Sequence, residues 1–141
     1  MSFTIEQFRL AGKVAVVTGA GGRGNSIGRA YALGLANAGA AVVVADINEE
    51  GAGAVAAEIN AAGGTAIGVR VDITDPASVT AMVDAATTAF GGVDILVNNA
   101  ALMAELGTLH VADVSLQEWN RILAVNLTGA LICAQAVIPS M

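Results

Sequence analysis

The sequence predicts an α/β protein built on one open, doubly wound parallel sheet. Short apolar runs alternate with segments of helical period, glycines lie where the helices should end, and a polar residue closes each apolar run. Strands that alternate with helices pair in parallel through right-handed crossovers, which place helices on both faces of the sheet. We therefore expect the strand order 3-2-1-4, with a crevice where the order reverses.

The elements follow one another without a linker, an internal repeat or a low-complexity tract. Gly39, Gly63 and Gly91 mark helix ends, and Asp75 followed by Pro76 is typical of a capped helix start. Apolar runs and helical period predict strands at 13–18, 41–46, 65–71 and 93–98, helices at 26–38, 49–61 and 76–89, and two helical stretches from about 115 and 126.

Composition narrows the class of protein. The 141 residues fit one domain, 1–141, and an apolar fraction of 55% with only 4% aromatic residues suits a buried sheet covered closely by helices. The formal net charge of −6 argues against a nucleic-acid partner. Cys133, the one cysteine, excludes an intramolecular disulfide and is predicted as a core residue. No His, Cys, Asp or Glu residues have the spacing of metal ligands.

The chain shows no targeting signal. Residues 1–10 lack a basic region followed by a hydrophobic stretch. No apolar run reaches the roughly 18 residues that are required to span a bilayer. We expect a cytoplasmic protein with no membrane partner.

A glycine-rich turn joins the first strand to the first helix, over residues 18–28. Glycines let the backbone approach a ligand closely, and the free N–H groups at a helix start attract an anion. This layout predicts a phosphate site, although a purely structural turn is the alternative. Asp46 ends the second strand about 20 residues further on and is placed to accept hydrogen bonds from ribose hydroxyls. Its alternative role is a solvated helix cap.

Polar residues also end the third and fourth strands. Asp72 is interpreted as an adenine contact or as a plain strand-ending residue, with Asp75 competing as the helix cap. Asn98 and Asn99 suit a role in tying strands together beneath a cofactor, or in capping a left-handed turn, which asparagine tolerates. Four polar strand ends at one crevice favour a binding site.

From about Leu10 onward the chain resembles the short-chain dehydrogenase/reductase family. The resemblance implies a Rossmann fold, a nicotinamide cofactor, and hydride transfer between the nicotinamide and an alcohol or carbonyl carbon. It rests on Thr18-Gly19-Ala20 with the glycine-rich loop, on Asp46, on Asp72-Ile73, on Asn98-Asn99-Ala100, and on the stretch from Trp119 to Gly129 that contains Asn126.

For the adenosine and phosphate portions, the resemblance implies that Gly19, Ser26 and Ile27 lie against the pyrophosphate and that Asp46 holds the adenosine ribose. NAD is therefore the expected cofactor, since a 2′-phosphate would meet the Asp46 carboxylate. NADP is the alternative if Arg23 pairs with that phosphate.

For the remaining positions, the resemblance implies that Asp72 and Ile73 bracket the adenine. It places Asn98 and Ala100 along the cofactor near its centre. Asn126 matches the catalytic asparagine of the family, which by resemblance kinks its helix and holds a proton-relay water.

Two departures from the family pattern lie within the matching region. The loop is three residues longer than usual, and Ser26 replaces a glycine, which resembles the divergent enoyl reductase branch. Ala101 stands where the family commonly has glycine, a change that costs little if the backbone there has a negative φ.

The serine and the Tyr-x-x-x-Lys pair that complete the family's active site have no match here. Tyr31 and Lys13 lack that spacing and are predicted as a packing residue and a solvated strand start. Trp119 is likewise predicted to pack, and His110 is predicted to be solvated or capping rather than a substitute base. We interpret the chain as a truncated, cofactor-binding portion that lacks the later strands and is inactive by itself.

The expected function is NAD(P)-dependent oxidation or reduction of a small alcohol or carbonyl compound, by a protein that forms a homo-oligomer at full length. A non-catalytic nucleotide-binding module is an alternative. A Rossmann methyltransferase is a further alternative, which Asn98-Asn99-Ala100 and Asn126 disfavour.

Overall fold

The computed structural model describes residues 4–22, 26–102 and 110–141. Within these residues the sheet consists of parallel strands in the order β3-β2-β1-β4, which confirms the predicted fold class and strand order. The central pair runs in register from Val14 opposite Ala41 to Thr18 opposite Ala45. The strands are β1 (Val14–Thr18), β2 (Ala41–Asp46), β3 (Thr65–Arg70) and β4 (Ile95–Val97).

Helices follow the strands, and their ends carry the expected signals. Gly39, Gly63 and Gly91 have φ angles of 102°, 87° and 93°, in the left-handed region that favours glycine. Asp75 caps the third helix through the N–H of Ala77 at 3.0 Å. The helices are α1 (Ile27–Asn37), α2 (Glu49–Ala61), α3 (Pro76–Phe90), α4 (Leu116–Leu123) and α5 (Ala130–Val137).

Two predicted features differ from the structure by more than one residue at an end, whereas β1, β3, α1 and α3 differ from their predictions by no more than one residue at either end. The two C-terminal helical stretches form one continuous helix, because a π-helical segment, Ala124–Gly129, joins α4 to α5 with helical backbone at both junctions. Strand β4 is shorter than the predicted 93–98, since its pairing with β1 covers only Ile95–Val97. The N–H of Asp94 still donates to the carbonyl of Val14 at 2.8 Å, just before β4 begins.

The core lies on both faces of the sheet, because successive strand residues point to opposite faces. On one face, Ala15 and Val17 pack with buried residues of α1 and α2. On the other, Val16 and Val43 pack with α3 and α5, which contribute Met82 among others. The central strands are therefore buried on both faces, as their continuous apolar sequence predicts.

Some apolar side chains remain exposed. Tyr31 and Trp119, which were predicted to pack, are 50% and 53% exposed, so about half of each side chain remains accessible to solvent. The continuous helix also exposes apolar side chains along its length, at Leu116, Leu127, Leu131 and Ile138.

The continuous helix Leu116–Ser140 is long and apolar enough to cross a membrane by length and composition alone. The expectation that no segment reaches that length is therefore wrong by this criterion, since only Glu118 and Arg121 are charged within it. Core helices of soluble proteins satisfy the same criterion, so this observation by itself is weak evidence for a membrane span.

Candidate functional site

A cleft of about 490 Å³ opens at the carboxyl ends of the strands, where the strand order reverses. Parallel α/β sheets bind ligands at this position because neighbouring crossovers leave on opposite faces there. Every predicted cofactor-binding residue except Asn98 lines it. The lining residues are Gly19, Gly22, Ser26, Ile27, Gly28, Asp46, Ile47, Val71, Asp72, Ile73, Asn99, Ala100, Ala101, Leu102 and Val125.

The glycine-rich loop packs closely against the end of β4. Gly19 has a φ of 67°, and a Cβ added there would lie 2.6 Å from the Cα of Ala100. A Cβ at Gly28 would collide with the carbonyl oxygen of Gly19. These glycines therefore allow the loop, the strand end and the start of α1 to approach one another. Arg23, the residue on which the NADP alternative depends, lies outside the described residues.

The start of α1 faces the cleft. Ser26 is the N-cap, and its hydroxyl oxygen accepts a hydrogen bond from the N–H of Arg29 at 3.3 Å. Among the described residues no acceptor contacts the N–H groups of Ile27 and Gly28. Free N–H groups in a first helical turn, together with the helix dipole, form an anion-binding site.

Asp46 holds the glycine-rich loop. Its Oδ2 accepts a hydrogen bond from the N–H of Gly21 at 2.8 Å, and its Oδ1 accepts one from the N–H of Asn48 at 2.9 Å. Asn48, in turn, donates from its side-chain amide to the carbonyl of Gly21 at 3.3 Å. The N-cap of α2 is Asn48, so the helix-cap interpretation of Asp46 is wrong.

The link between Asp46 and the loop was not predicted from the sequence. Gly21 and Asp46 are 25 residues apart, and a backbone N–H leaves no signal in the sequence. Each carboxylate oxygen of Asp46 keeps a second lone pair, which leaves acceptor capacity for a ligand hydroxyl.

Asp72 and Ile73 line the next part of the cleft. Oδ1 of Asp72 accepts hydrogen bonds from the hydroxyl and the backbone N–H of Thr74, and these bonds lower the pKa of the Asp72 carboxyl. Since Asp75 caps α3, the competition for that role is settled in favour of Asp75. Ile73 is buried and packs against Gly129 in the π-helical segment, so only a small part of its side chain borders the cleft.

The asparagines at the end of β4 hold neighbouring segments together. The side-chain amide of Asn99 donates to the carbonyls of Thr18 and Gly19 at 2.9 and 3.1 Å. The amide of Asn98 donates to the carbonyl of Ala130 at 3.1 Å, and Asn98 does not line the cleft. The prediction that these amides tie strands together is therefore confirmed for Asn99, which links β1 to β4.

The left-handed turn considered for this segment does not occur, because no described residue other than glycine has a positive φ. For the same reason Ala101 replaces the usual glycine without backbone strain.

Asn126 lies within the π-helical segment and does not line the cleft itself. Its side-chain Oδ1 accepts from the N–H of Leu102 at 2.8 Å, and its Nδ2 donates to the carbonyl of Leu102 at 3.3 Å. Leu102 does line the cleft, so Asn126 positions the cleft wall. The expected irregularity of the helix at Asn126 is present as a π-helical turn, a feature that is frequent at functional sites.

Comparison with known proteins identifies the family. The family model described as "short chain dehydrogenase" matches residues 13–141. The chain belongs to the short-chain dehydrogenase family.

Curated relatives of this short-chain dehydrogenase include an uncharacterized oxidoreductase of Mycobacterium tuberculosis, 51% identical over 129 residues that cover 92% of the chain and 51% of the relative. A 3-alpha-(or 20-beta)-hydroxysteroid dehydrogenase of the same organism is 47% identical over 133 residues, which cover 94% of the chain and 48% of that protein. The chain thus spans about half the length of these relatives.

Solved structures show the same fold. A hydroxysteroid dehydrogenase from Escherichia coli has a TM-score of 0.87 and 38% identity, over 98% of this chain and 56% of that one. A short-chain type dehydrogenase/reductase from Mycobacterium marinum has a TM-score of 0.88 and 37% identity, over 98% and 54% of the two chains. These likenesses confirm the Rossmann-like fold that the resemblance implied.

The remaining reactive side chains of this short-chain dehydrogenase lie away from the cleft. Cys133 is fully buried, as predicted, and burial raises the pKa of its thiol to about 11. Lys13 is more than half exposed, as a solvated strand start should be, and pairs with Asp94 at 2.8 Å. His110 is exposed. Within the described ranges no group of His, Cys, Asp and Glu side chains is placed to hold a metal ion.

Several lining residues were missed by the sequence analysis. Ile47 directly follows Asp46 and is 61% exposed. An apolar residue just beyond the end of a strand is a sequence signal that could have indicated a residue lining the cleft. Val71, Leu102 and Val125 gave no such signal, because an apolar residue beside a core position is equally expected in the interior.

Proposed function

We propose that this chain forms the cofactor-binding portion of an NAD-dependent oxidoreductase that transfers hydride between nicotinamide and an alcohol or carbonyl compound. The observation that carries the proposal is one cleft that combines the backbone N–H groups at the start of α1 with the Asp46 carboxylate at the end of β2. The first suits a diphosphate and the second suits a ribose diol.

The residues present fit a dinucleotide. Gly19, Ser26 and Ile27 would lie against the pyrophosphate, and the missing side chain of Gly19 allows the loop to pack against Ala100 beside them. Asp46 would accept hydrogen bonds from the adenosine ribose, and its acceptor-only carboxylate favours two hydroxyls over a 2′-phosphate. We therefore propose NAD, with NADP as the weaker ligand.

The other sites follow along the cleft. Asp72 would accept from the adenine, with Ile73 beside the ring. Ala100 would border the middle of the cofactor, and Asn98 would support that segment through its bond to the Ala130 carbonyl.

A bound nicotinamide supplies a hydride acceptor or donor. The chain's own contribution near that end is positional: Asn126 fixes both backbone groups of Leu102 through its amide. We propose that Asn126 also holds a proton-relay water, as its match to the family's catalytic asparagine implies. The chain's one tyrosine and one lysine, Tyr31 and Lys13, lack the Tyr-x-x-x-Lys spacing. We therefore propose that the 141 residues bind NAD without turning over an alcohol.

Family membership argues against the methyltransferase alternative. We further propose that the protein associates with itself at full length, since the exposed apolar side chains Leu127, Leu131 and Ile138 lie on one helix. A cytoplasmic location is a separate proposal. The relatives named as hydroxysteroid dehydrogenases do not define the substrate of this chain beyond an alcohol or carbonyl compound.

The test is calorimetric titration of the 141-residue chain with NAD and with NADP, followed by an assay of NADH formation against a panel of secondary alcohols. We expect NAD to bind more tightly than NADP and no NADH to form. Equal affinity for the two cofactors would contradict the role of Asp46 in selectivity. Absence of binding by either would refute the proposed function, and turnover would show that another residue, His110 first, acts as the base.

A further inference from the structure

Strand β3 lies at one edge of the sheet, and a side chain covers part of its outer side. The side-chain amide of Asn60, near the end of α2, donates to the carbonyl of Ala66 at 2.9 Å, and its oxygen accepts from the N–H of Ala66 at 2.8 Å. An asparagine amide offers the same donor and acceptor as a peptide group. Asn60 therefore bonds Ala66 as a residue of a further strand would.

The rest of this outer side is open. The N–H of Val71 donates to the carbonyl of Asp46 at 2.9 Å, so every second residue counted back from Val71 faces β2. Gly68 and Arg70 consequently direct their backbone groups outward, as Ala66 does. Both are exposed, and no partner from the described part of the chain contacts these outward groups. We call Ala66, Gly68 and Arg70 the outer edge of β3.

The side chain of Asn60 is not needed to close the turn between α2 and β3. Gly63 has a φ of 87°, and its N–H donates to the backbone carbonyl of Asn60 at 3.1 Å. The N–H of Gly64 donates to the carbonyl of Ile59 at 3.0 Å. These two backbone hydrogen bonds complete a Schellman motif, which ends a helix without help from a side chain. The Asn60 amide is thus free to bond Ala66.

An open edge of a sheet is a template for another strand, and a second copy of the chain carries an identical edge. Two copies of β3 can pair antiparallel about a twofold axis at Gly68, because the outward residues then meet as 66 with 70, 68 with 68 and 70 with 66. No like charges meet, since Arg70 of one copy would lie opposite Ala66 of the other. In this chain, however, Asn60 already occupies the backbone groups of Ala66.

We infer that Asn60 is an edge cap: its side-chain amide takes the place of the next strand on β3 and keeps a second copy of the chain from adding there. The cap blocks the pairs 66 with 70 and 70 with 66, so only the pair at Gly68 can form. One residue pair does not offset the cost of bringing two molecules together. The inference is independent of which cofactor the cleft binds.

The experiment follows backbone amide hydrogen exchange, resolved to single residues, at two protein concentrations about twentyfold apart. Asn60→Ala removes the cap. Asn37→Ala is the matched control, because Asn37 is exposed at the end of α1 as Asn60 is near the end of α2. Asn99→Ala controls for lost stability, since it removes hydrogen bonds elsewhere in the sheet.

In the wild-type chain we expect the Gly68 and Arg70 amides to exchange rapidly at both concentrations. In Asn60→Ala both amides should exchange about tenfold more slowly at the higher concentration, because a second copy then supplies their partners. Adding Arg70→Pro should abolish the slowing at Gly68, since proline lacks the N–H and is tolerated where that group faces solvent. Asn37→Ala and Asn99→Ala should exchange as the wild-type chain does.

Other results would overturn the inference. Slowing with concentration in the wild-type chain would show that a second copy adds to the outer edge of β3 despite Asn60. Rapid exchange at both concentrations in Asn60→Ala would show that the edge needs no cap. Equal slowing in Asn99→Ala would assign the effect to lost stability. If Asn60→Ala and Asn60→Ser both fail to fold, Asn60 is required by the fold itself, which also refutes a role confined to the edge.

Association through another surface is distinguishable from strand addition. Contact through the exposed apolar side chains of the helix Leu116–Ser140 would raise the molecular mass but leave the Gly68 and Arg70 amides in rapid exchange. The exchange of these two amides therefore reports on the outer edge of β3 alone.

Discussion

The side-chain amide of Asn99 donates to the carbonyl oxygen of Thr18 at 2.9 Å, across the boundary between β4 and β1. The contact is reciprocal, since the Thr18 hydroxyl oxygen accepts from the backbone N–H of Asn99 at 3.1 Å. Thr18 is buried, and its hydroxyl donates to the Val97 carbonyl at 3.3 Å. At the floor of the cleft, these hydrogen bonds therefore hold together two strand ends whose residues, Thr18 and Asn99, are 81 positions apart in sequence.

Removing the Asn99 amide should destabilise the fold. We expect Asn99→Ala to lower the free energy of unfolding by about 1 to 3 kcal/mol, because the carbonyls of Thr18 and Gly19 lose their donor. Asn99→Asp should cost at least as much, since a carboxylate would face two carbonyl oxygens. Urea denaturation followed by circular dichroism measures both, with Asn37→Ala on the exposed end of α1 as the control. If Asn99→Ala lowers the free energy of unfolding by no more than Asn37→Ala does, the Asn99 amide does not hold the two strand ends together.

Asp46 should contribute to folding even before a cofactor binds. Asp46→Ala leaves the N–H groups of Gly21 and Asn48 without their acceptor, so we expect a loss of about 1 to 3 kcal/mol in the ligand-free chain. The same variant should weaken NAD by a similar amount. Asp84→Ala, an exposed acidic residue on α3, controls for charge. If ligand-free Asp46→Ala unfolds at the same midpoint as the wild-type chain, Asp46 contributes to ligand binding and not to folding.

A binding assay by itself does not test the role of Gly19 in the geometry of the loop. The φ of 67° and the approach of Ala100 make Gly19→Val strained even in the absence of ligand. We therefore expect a loss of about 2 kcal/mol or more in unfolding free energy.

The control for Gly19→Val is Gly34→Ala in α1, where no atom lies within 4 Å of the added Cβ and no positive φ is required. There we expect a gain of about 0.5 to 1 kcal/mol from helix propensity. Equal effects of the two substitutions on the midpoint of urea unfolding would contradict the geometry of the loop.

The thiol of Cys133 should be unreactive in the folded chain. Burial raises its pKa to about 11, so about one thiol in a thousand is ionised at pH 8 even before access is considered. Labelling with a disulfide reagent should therefore occur only as the chain unfolds, and its rate should rise with urea as unfolding does. Rapid labelling in native buffer would show that Cys133 is accessible.

The ion pair between Lys13 and Asp94 should make the stability of the fold decrease at acidic pH. The Lys13 side chain and the N–H of Val14 lower the pKa of Asp94 below its usual value of about 3.9. A group with a depressed folded pKa contributes stability above the unfolded pKa and loses it as pH falls through the folded pKa. We expect the unfolding midpoint of Asp94→Asn to fall less than that of wild type between pH 4 and 2, while an unchanged slope would exclude the contribution.

Much of the fold was predictable because its signals are local. The limits of β2 and α2 match their predictions, since an apolar run that ends at Asp46 and a helical period from Glu49 depend on neighbouring residues alone. The caps at Asp75 and Gly91 are local for the same reason. The strand order followed from the alternation of elements, because crossover handedness leaves few arrangements.

The site was predictable only as a set of positions. Polar residues at the ends of parallel strands meet at one edge of the sheet, so Asp46, Asp72 and Asn99 were correctly expected to share a cleft. Asn98 carries the same signal, yet its amide turns to the Ala130 carbonyl. The alternation of side chains along a strand does not apply to the residues just beyond it, so sequence could not predict which asparagine faces which partner.

The sequence by itself determined the order of elements, the family pattern and the edge of the sheet where the polar strand ends gather. Only the tertiary structure decided which backbone groups those side chains bind: Asp46 accepts from Gly21, and Asn126 accepts from Leu102. It also decided that Ile73 packs on Gly129. These contacts join residues 24 to 56 positions apart, and their acceptors and donors are largely peptide groups that every residue carries. A peptide group has no signature in the sequence, so its partner is chosen by packing alone.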